Sequence, residues 1–345
     1  ATARGSLIQE GYNVVAAPEI LIPLDRGDSR RVEFEGGSIQ SRLLALALKA
    51  SVKPVLTVWA MAPGLPWPYR AVDHVGRVLR SVAGTSRRPV SLARCSAETT
   101  RPAAIRGDRY VVYLHGGAFL VGGRHLHRQM ISRIAASLQS EVVAVDYRKL
   151  PQHTIADGIE DCIDAYRFAL GRGVAPENIA FIGDSAGAYL VFITAIFAAR
   201  RGLPMPGAIV SMAPLTDFDV QAKIDAPSGS TDVLFSKAFA RAFHQFVMRH
   251  SPPDDEHRLL DADLGGLPPS LIQVSSTELL NPDAEELAVA LTKAGVPHQL
   301  QVWRDQVHVF QAAASIVPEA ARALREVTQF IESAFARNGA QEQSA

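Results

Sequence analysis

The sequence predicts an α/β domain built on a mostly parallel sheet, and two features beyond about residue 109 carry this prediction. Short apolar runs alternate there with amphipathic segments of helical length. This alternation is typical of βαβ units, in which crossover helices join parallel strands. In addition, one run passes into the next helix through a serine flanked by glycines, which is a turn found at strand ends in such sheets.

Each apolar run is short enough to be a buried strand, and each helical segment shows a spacing of three or four between apolar positions. The predicted strands are residues 110–114, 142–145, 179–182, 208–212, 271–274 and 299–302. The predicted helices are residues 41–60, 69–82, 159–170, 188–200, 235–249 and 312–336.

Two stretches fall outside the alternation and divide the chain into parts. Insertions at these places would lie above one end of the sheet, so we expect them to form a helical cap. The predicted organisation is an N-terminal cap segment (1–85), a main domain (86–337) with a cap insertion (217–266), and a disordered polar tail (338–345).

Composition excludes several classes of protein. Of 345 residues, 48% are hydrophobic, and the 35 Lys and Arg balance the 35 Asp and Glu. With no net charge and no dense basic run, a nucleic-acid partner is not expected. Cys95 and Cys162 are too few for a disulfide scaffold, so we expect free thiols and a cytoplasmic location. Residues 1–13 lack the apolar core of a signal peptide, although the chain does not begin with Met and export stays open.

The most apolar stretch, residues 43–67, is interrupted by Lys49, Lys53 and Pro54. A membrane-spanning helix needs about 20 uninterrupted apolar residues, so we predict that this stretch covers a pocket instead. Contact with a membrane surface and formation of a homodimer both stay open.

The strongest local signal is Gly183-Asp184-Ser185-Ala186-Gly187, which lies between a predicted strand and a predicted helix. This G-x-S-x-G pattern in a strand-to-helix context is typical of a nucleophile elbow, where a strained turn exposes the serine hydroxyl. An ordinary glycine turn is the alternative. We predict that Ser185 is a nucleophile.

A second glycine-rich segment, His115-Gly116-Gly117-Ala118-Phe119, directly follows the first predicted strand of the alternating region. Backbone N–H groups at such a place can stabilise the negative charge that develops on a carbonyl oxygen during acyl transfer. An ordinary tight βα turn is the structural alternative. The presence of a nucleophile elbow in the same sequence favours the oxyanion role over this alternative.

A nucleophilic serine needs a base, which in this chain order follows it. His308 lies in the loop after the last predicted strand, and His298 opens that strand. We predict His308 as the base and a structural role for His298.

The acid that orients the base is chosen between Glu278 and Asp283. Asn281 is a good N-cap and Pro282 suits the first helical position, so Asp283 falls in the first helical turn, where a carboxylate complements the helix dipole. Glu278 precedes the N-cap residue of that helix, so the helix dipole does not explain its presence. We therefore predict Glu278 as the acid.

Other polar groups near these motifs are predicted to hold loops, namely His115, Asp184 and the cluster Asp146-Tyr147-Arg148. Metal-ligand spacings, a P-loop and a dinucleotide fingerprint are all missing from the sequence. No metal and no cofactor is expected.

Together these motifs resemble the hormone-sensitive-lipase-like esterases, also called bacterial family IV lipolytic enzymes. The resemblance covers about residues 85–335. It rests on residues 115–119, on residues 146–148 with Pro151, on residues 183–187, on the run Leu267-Pro268-Pro269-Ser270, and on the order Ser185, Glu278, His308.

The resemblance implies an α/β-hydrolase fold with an eight-stranded, mostly parallel sheet and a helical cap. It implies hydrolysis of short- to medium-chain carboxylic esters through an acyl-enzyme. The oxyanion donors would be the N–H groups of Gly117, Ala118 and Ala186, with Gly116 supporting the loop. This chain departs from the family pattern at Ala118, where a third glycine is usual, and at Glu278, where Asp is usual.

Three other functions use the same features. An amidase or deacetylase would use the same triad, a lipase would act at a lipid interface, and a non-catalytic small-molecule receptor would keep only the fold. Because such receptors typically lose the histidine and His308 is present, we favour the esterase, acting on a small-molecule acyl ester.

Overall fold

The computed structural model describes residues 30–342, in which nine strands form one mostly parallel sheet. The order across the sheet is β1-β9-β8-β7-β6-β4-β5-β3-β2, and every neighbouring pair is parallel except β2–β3 and β3–β5, because β3 runs opposite to the other strands. The strands are β1 (Arg30–Phe34), β2 (Thr85–Ser91), β3 (Ser96–Pro102), β4 (Tyr110–Leu114), β5 (Glu141–Asp146), β6 (Ile179–Asp184), β7 (Ala208–Met212), β8 (Ser270–Ser275) and β9 (His298–Trp303).

Helices cover both faces of this sheet, as the βαβ pattern requires. One apolar core lies between the sheet and α4, α5 and α9, and a second lies between the sheet and α3 and α10. The helices are α1 (Ile39–Met61), α2 (Tyr69–Val75), α3 (Arg128–Leu138), α4 (Ile155–Leu170), α5 (Ala186–Arg200), α6 (Gln221–Asp225), α7 (Ser228–Thr231), α8 (Lys237–His250), α9 (Asn281–Lys293) and α10 (Pro318–Glu342).

The predicted fold class is confirmed, but the strand count is nine and not eight. All six predicted strands are present as β4 to β9. The strand at one edge, β1, pairs in parallel with β9, and Phe34 of β1 stacks on Trp303 of β9 at 4.0 Å between ring centroids. This part of the segment predicted as cap therefore belongs to the sheet.

The ends of the chain differ from the prediction in one further respect. Helix α10 continues to Glu342, beyond residue 337 where a disordered tail is predicted. Ala340, Gln341 and Glu342 are good helix formers, so the helix continues past Gly339. Residues 1–29 and 343–345 lie outside the described residues.

Between residue 35 and residue 85 and within residues 217–266, most of the regular structure is helical, and these two described segments contact each other. Trp59 of α1 packs against two aromatic side chains of α8, with ring centroids 5.3 Å from Phe239 and 5.6 Å from Phe246. The aromatic contact thus joins residues that are far apart in sequence.

Candidate active site

Ser185 lies on the tight turn between β6 and α5. Its backbone has φ 53° and ψ −118°, a conformation that a non-glycine residue rarely adopts, and its N–H donates to the carbonyl of Met212 at 2.8 Å. A Cβ on Gly183 would lie 2.3 Å from the carbonyl oxygen of Gly187, and one on Gly187 would lie 1.9 Å from that of Leu114. Only glycine fits at both places, so the sequence pattern builds the predicted elbow.

The glycine-rich segment after β4 lies directly against this turn. A Cβ on Gly116 would lie 2.3 Å from a carboxylate oxygen of Asp184 and 3.0 Å from Cβ of Ser185. Gly117 and Ala118 both have positive φ, 121° and 57°. This conformation turns the chain sharply at the end of the strand, beside the serine.

Three backbone N–H groups at this place are available to a ligand. Within residues 30–342, the N–H groups of Gly117, Ala118 and Ala186 donate no hydrogen bond to a protein acceptor. Ala186 is the first residue of α5, where N–H groups have no intrahelical partner and the helix dipole favours negative charge. The arrangement suits an oxyanion.

The buried carboxylate of Asp184 lies against the glycine-rich segment that follows β4. Asp184 accepts hydrogen bonds from the hydroxyl of Tyr113 at 2.5 Å and from Nε2 of His127 at 3.2 Å. Burial opposes protonation of His127, but the charge of Asp184 prevails and raises the pKa of this imidazole. His115 stacks on Tyr147, whose hydroxyl donates to the His115 carbonyl at 2.8 Å. The predicted loop-holding role of Asp184 and His115 agrees with these contacts.

The structure brings Glu278 and His308 together. Oε2 of Glu278 lies 2.5 Å from Nδ1 of His308, and Oε1 accepts from the N–H of Ser275 at 2.6 Å. Both side chains are buried. Burial lowers the affinity of His308 for a proton, but the hydrogen bond and charge of Glu278 outweigh it and raise the pKa of this histidine. Nδ1 is therefore the nitrogen held by the carboxylate, which leaves Nε2 for chemistry.

The two rejected candidates are held elsewhere. Asp283 is buried against Lys223, with 2.9 Å between the carboxylate and the ammonium, and it accepts from the N–H of Thr216 at 2.7 Å. His298 starts β9, at the opposite end of that strand from the His308 loop, and its Nδ1 lies 2.9 Å from the carbonyl of Val296. Asn281 is the first residue of α9 and not its N-cap, because its side chain donates instead to the carbonyl of Ser275.

No hydrogen bond joins the hydroxyl of Ser185 to His308 among the described residues. In unliganded enzymes, hydrogen bonds between catalytic groups are often long and tighten only when substrate binds. Phe235 lies near both residues, since its ring contacts His308 edge-on at 4.8 Å between centroids and it lines the cavity at Ser185.

The cavity beside Ser185 is small and mostly apolar. Its volume is about 40 Å³. The apolar lining residues are Ala118, Ala186, Leu215, Phe218, Val220, Phe235, Phe239, Ala240, Phe243, Leu279 and Leu280. Such a lining suits an aliphatic group better than a charged one.

The sequence reasoning missed Asp232, a buried carboxylate next to the proposed acid. Its two oxygens accept from the N–H groups of Leu234, Phe235 and Leu279, at 2.7, 2.8 and 2.6 Å. It thereby fixes the residue that follows Glu278, and its negative charge adds to the stabilisation of protonated His308. In the sequence, Asp232 is an isolated acidic residue before an apolar run, and no motif marks it as a partner of the Glu278 loop.

For the ester hydrolysis that the sequence predicts, Asp232→Asn is expected to move the acid limb of the kcat/KM pH profile to lower pH. Removing a negative charge near His308 makes the imidazolium less stable, so the pKa of this imidazole falls and its neutral form persists at lower pH. Initial rates between pH 5 and 9 would measure the shift. Asp261→Asn, at an exposed carboxylate of the same insertion, is the matched control. A limb that stays in place, or moves to higher pH, would contradict this assignment.

No group of three or more His, Cys, Asp or Glu side chains within the described ranges is arranged to hold a metal ion. The polar groups of the site are instead paired with one another, as Glu278 is with His308.

Comparison with known proteins agrees with this geometry. A family model described as alpha/beta hydrolase fold matches residues 111–312. The chain is 38% identical to the carboxylesterase/phospholipase LipF of Mycobacterium tuberculosis, over 87% of this chain and 83% of that one. It is 37% identical to the esterase LipU of the same organism, over 82% and 99% of the two chains.

Solved structures give the same assignment. The crystal structure of EstE5 matches with a TM-score of 0.78 and 26% identity, over 87% of this chain and 100% of that one. An esterase from the bacterial hormone-sensitive lipase family matches with a TM-score of 0.73 and 29% identity, over 82% and 98%. The chain therefore belongs to the hormone-sensitive-lipase-like, bacterial family IV esterases of the α/β-hydrolase fold, and it is a serine ester hydrolase.

Proposed function

We propose that the chain hydrolyses short- to medium-chain carboxylic esters through a Ser185–His308–Glu278 triad and an acyl-enzyme intermediate. The observation that carries this proposal is the 2.5 Å contact between Glu278 and His308, because the ring of His308 also contacts Phe235, which lines the cavity at Ser185. The names of the relatives, carboxylesterase and esterase, support an ester as substrate.

In the proposed reaction, Nε2 of His308 removes the proton of Ser185, whose oxygen attacks the ester carbonyl. Glu278 holds the imidazole in the required tautomer and stabilises its protonated form. The negative charge on the former carbonyl oxygen is received by the N–H groups of Gly117, Ala118 and Ala186. His308 then gives its proton to the departing alcohol, which leaves Ser185 acylated.

Deacylation reverses these roles with water in place of the alcohol. His308 takes a proton from the water, hydroxide adds to the acyl carbonyl, and the proton passes to the oxygen of Ser185 as the acid product leaves. A neutral imidazole is needed at the start of both halves. We therefore expect activity to fall as the pH drops through the raised pKa of His308.

The walls of the cavity support an acyl chain of modest length. Phe235, Phe239 and Phe243 lie on or just before α8, within residues 217–266, and they close over the space beside Ser185. We propose that this insertion and the helical part of residues 1–85 form the cap that encloses the acyl group. A long acyl chain exceeds the enclosed volume. Its rate of hydrolysis therefore depends on whether the end of the chain can extend out of the cavity.

The test is the initial rate of hydrolysis of p-nitrophenyl esters from acetyl to palmitoyl, with the matched anilides alongside. We expect the highest kcat/KM on short to medium chains and much slower anilide turnover. Faster anilide than ester turnover would favour the amidase alternative. A rate that rises only above the solubility limit of the substrate would favour the lipase alternative, and no turnover of any ester would refute the proposal.

A further inference from the structure

Most of the exposed large apolar side chains of the described chain lie on and beside α1. Of the fourteen exposed large apolar side chains in residues 30–342, twelve fall between Ile39 and Leu79. The two others are Val289 and Ile316. Scattered exposed apolar residues are normal in a monomer, whereas a contiguous group marks a surface that contacts something else.

Helix α1 presents two different faces. Ser41 and Trp59 are buried, and Leu44, Leu48 and Leu56 pack against the cores below. The outward positions recur at spacings of three and four, as one face of a helix requires. The exposed large apolar side chains of the helix, with exposed fractions from 37% to 81%, are Ile39, Leu43, Leu46, Val52, Val55, Val58 and Met61.

The charged side chains of α1 itself are all basic, although Glu319 lies against its N-terminus. Residues 36–72 contain Arg42, Lys49, Lys53 and Arg70, and no Asp or Glu. Arg42 and Lys49 are exposed on α1, whereas Nζ of Lys53 donates to the carbonyl of Asp232. An apolar helix face with basic residues beside it complements an anionic lipid surface. A second copy of the same face would instead bring like charges together.

The orientation of α1 follows from its packing. The helix has 23 residues and is apolar enough to cross a membrane by length and composition. However, its inner face is fixed to the protein, with Trp59 against Phe239 and Phe246 of α8. It can therefore offer only its outer face to lipid, over a length of about 35 Å.

We propose that the outer face of α1 docks the protein on an anionic lipid surface, with the helix lying in the plane of the interface. Docking itself is independent of the proposed catalytic function. One consequence rests on that function: Phe239 contacts Trp59 and also lines the cavity at Ser185, so docking places the cavity wall next to lipid-borne esters.

The test is cosedimentation of the full chain with vesicles of phosphatidylcholine alone or mixed with phosphatidylglycerol. The protein carries Ser185→Ala, so that no lipid is consumed. We expect binding to the anionic vesicles, weaker binding to the neutral ones, and release by salt. Replacing Leu43 and Leu46 with Ser should weaken binding by about tenfold or more, because each leucine loses its transfer to an apolar phase.

The matched control replaces Val289 and Ile316, the exposed apolar residues outside this region, with Ser and should bind as the parent does. Arg42→Gln with Lys49→Gln should weaken binding to anionic vesicles only. Circular dichroism checks folding, and soluble-ester hydrolysis by the leucine variant in a Ser185 background should be unchanged.

Three results would overturn the proposal. The first is a protein that does not sediment with either vesicle. The second is equal binding by the leucine variant and its control. The third is a lipid-free dimer that the leucine substitutions dissociate, which would make a second copy the occupant. Each result concerns binding alone, so failure of docking and failure of the esterase proposal are distinguished.

Discussion

Ser185→Ala is expected to lower kcat for p-nitrophenyl butyrate by about 10⁶-fold, since removal of the nucleophile from such a triad has an effect of this size. The remaining rate would come from the oxyanion donors and from substrate binding. The fold should survive, because alanine has the same Cβ as serine and only the hydroxyl is lost from the turn. Steady-state rates and thermal unfolding of both proteins measure the two effects.

The control for this substitution is Ser86→Ala, at an exposed serine of β2. It should change neither the rate nor the unfolding temperature. A serine-directed phosphonate should add its mass to the peptide that contains Ser185 in the parent and in the control, and to no peptide of Ser185→Ala. If Ser185→Ala kept more than about one per cent of the activity, another residue would have to be the nucleophile.

Glu278→Gln is expected to lower kcat by about 10⁴-fold while leaving the fold intact, by analogy with amide substitution of a triad aspartate. The amide matches the carboxylate in shape but carries no charge, so the tautomer and the protonated form of His308 are no longer favoured. The pKa of His308 should fall, and the acid limb of the remaining activity should move to lower pH. Glu278→Asp should recover part of the rate, because it restores the charge.

Asp283→Asn is the companion variant, because it removes the other carboxylate considered for the acid. It breaks a buried ion pair with Lys223, which typically costs about 3–5 kcal/mol of unfolding free energy. We therefore expect a lower unfolding temperature and a nearly normal kcat for the folded fraction. The opposite pattern, with a fast Glu278→Gln enzyme and a dead Asp283→Asn enzyme, would transfer the role of the acid to Asp283.

The sequence allowed the parallel part of the sheet to be predicted because its strands are buried on both faces. The run of residues 110–114 is apolar throughout, and every residue of β4 is buried. The elbow was predictable for a different reason: backbone atoms exclude any side chain at Gly183 and Gly187, so the residue type reports the conformation directly. The family and enzyme predictions are confirmed by the relatives.

The strands that were missed have no such signal. In β2 and β3 the residues are mainly Thr, Ser and Arg, and β2 is exposed over most of its length. In β1, only Phe34 of the five residues is buried. Their pairing depends on partners far along the chain, which local periodicity does not reveal. Helix α3 was missed although its inner face is buried against the sheet.

Within the site, contacts between residues that are far apart in the sequence could not be predicted. Asp232 and Leu279 are 47 positions apart, and His127 and Asp184 are 57 apart. Neither Asp232 nor His127 lies in a recognisable motif. The triad roles, the cap and the cytoplasmic location stay predictions, as does any homodimer.

The close contacts of the elbow glycines also determine which positions of this enzyme can accept substitutions. At Gly116, Gly183 and Gly187 an added carbon would overlap protein atoms, so a library that varies these positions would consist mainly of misfolded clones. The walls of the cavity are under no such restriction, since Phe235 and Phe239 come from a segment outside the sheet. Laboratory evolution toward new acyl groups should therefore draw its substitutions from those walls and leave the turn untouched.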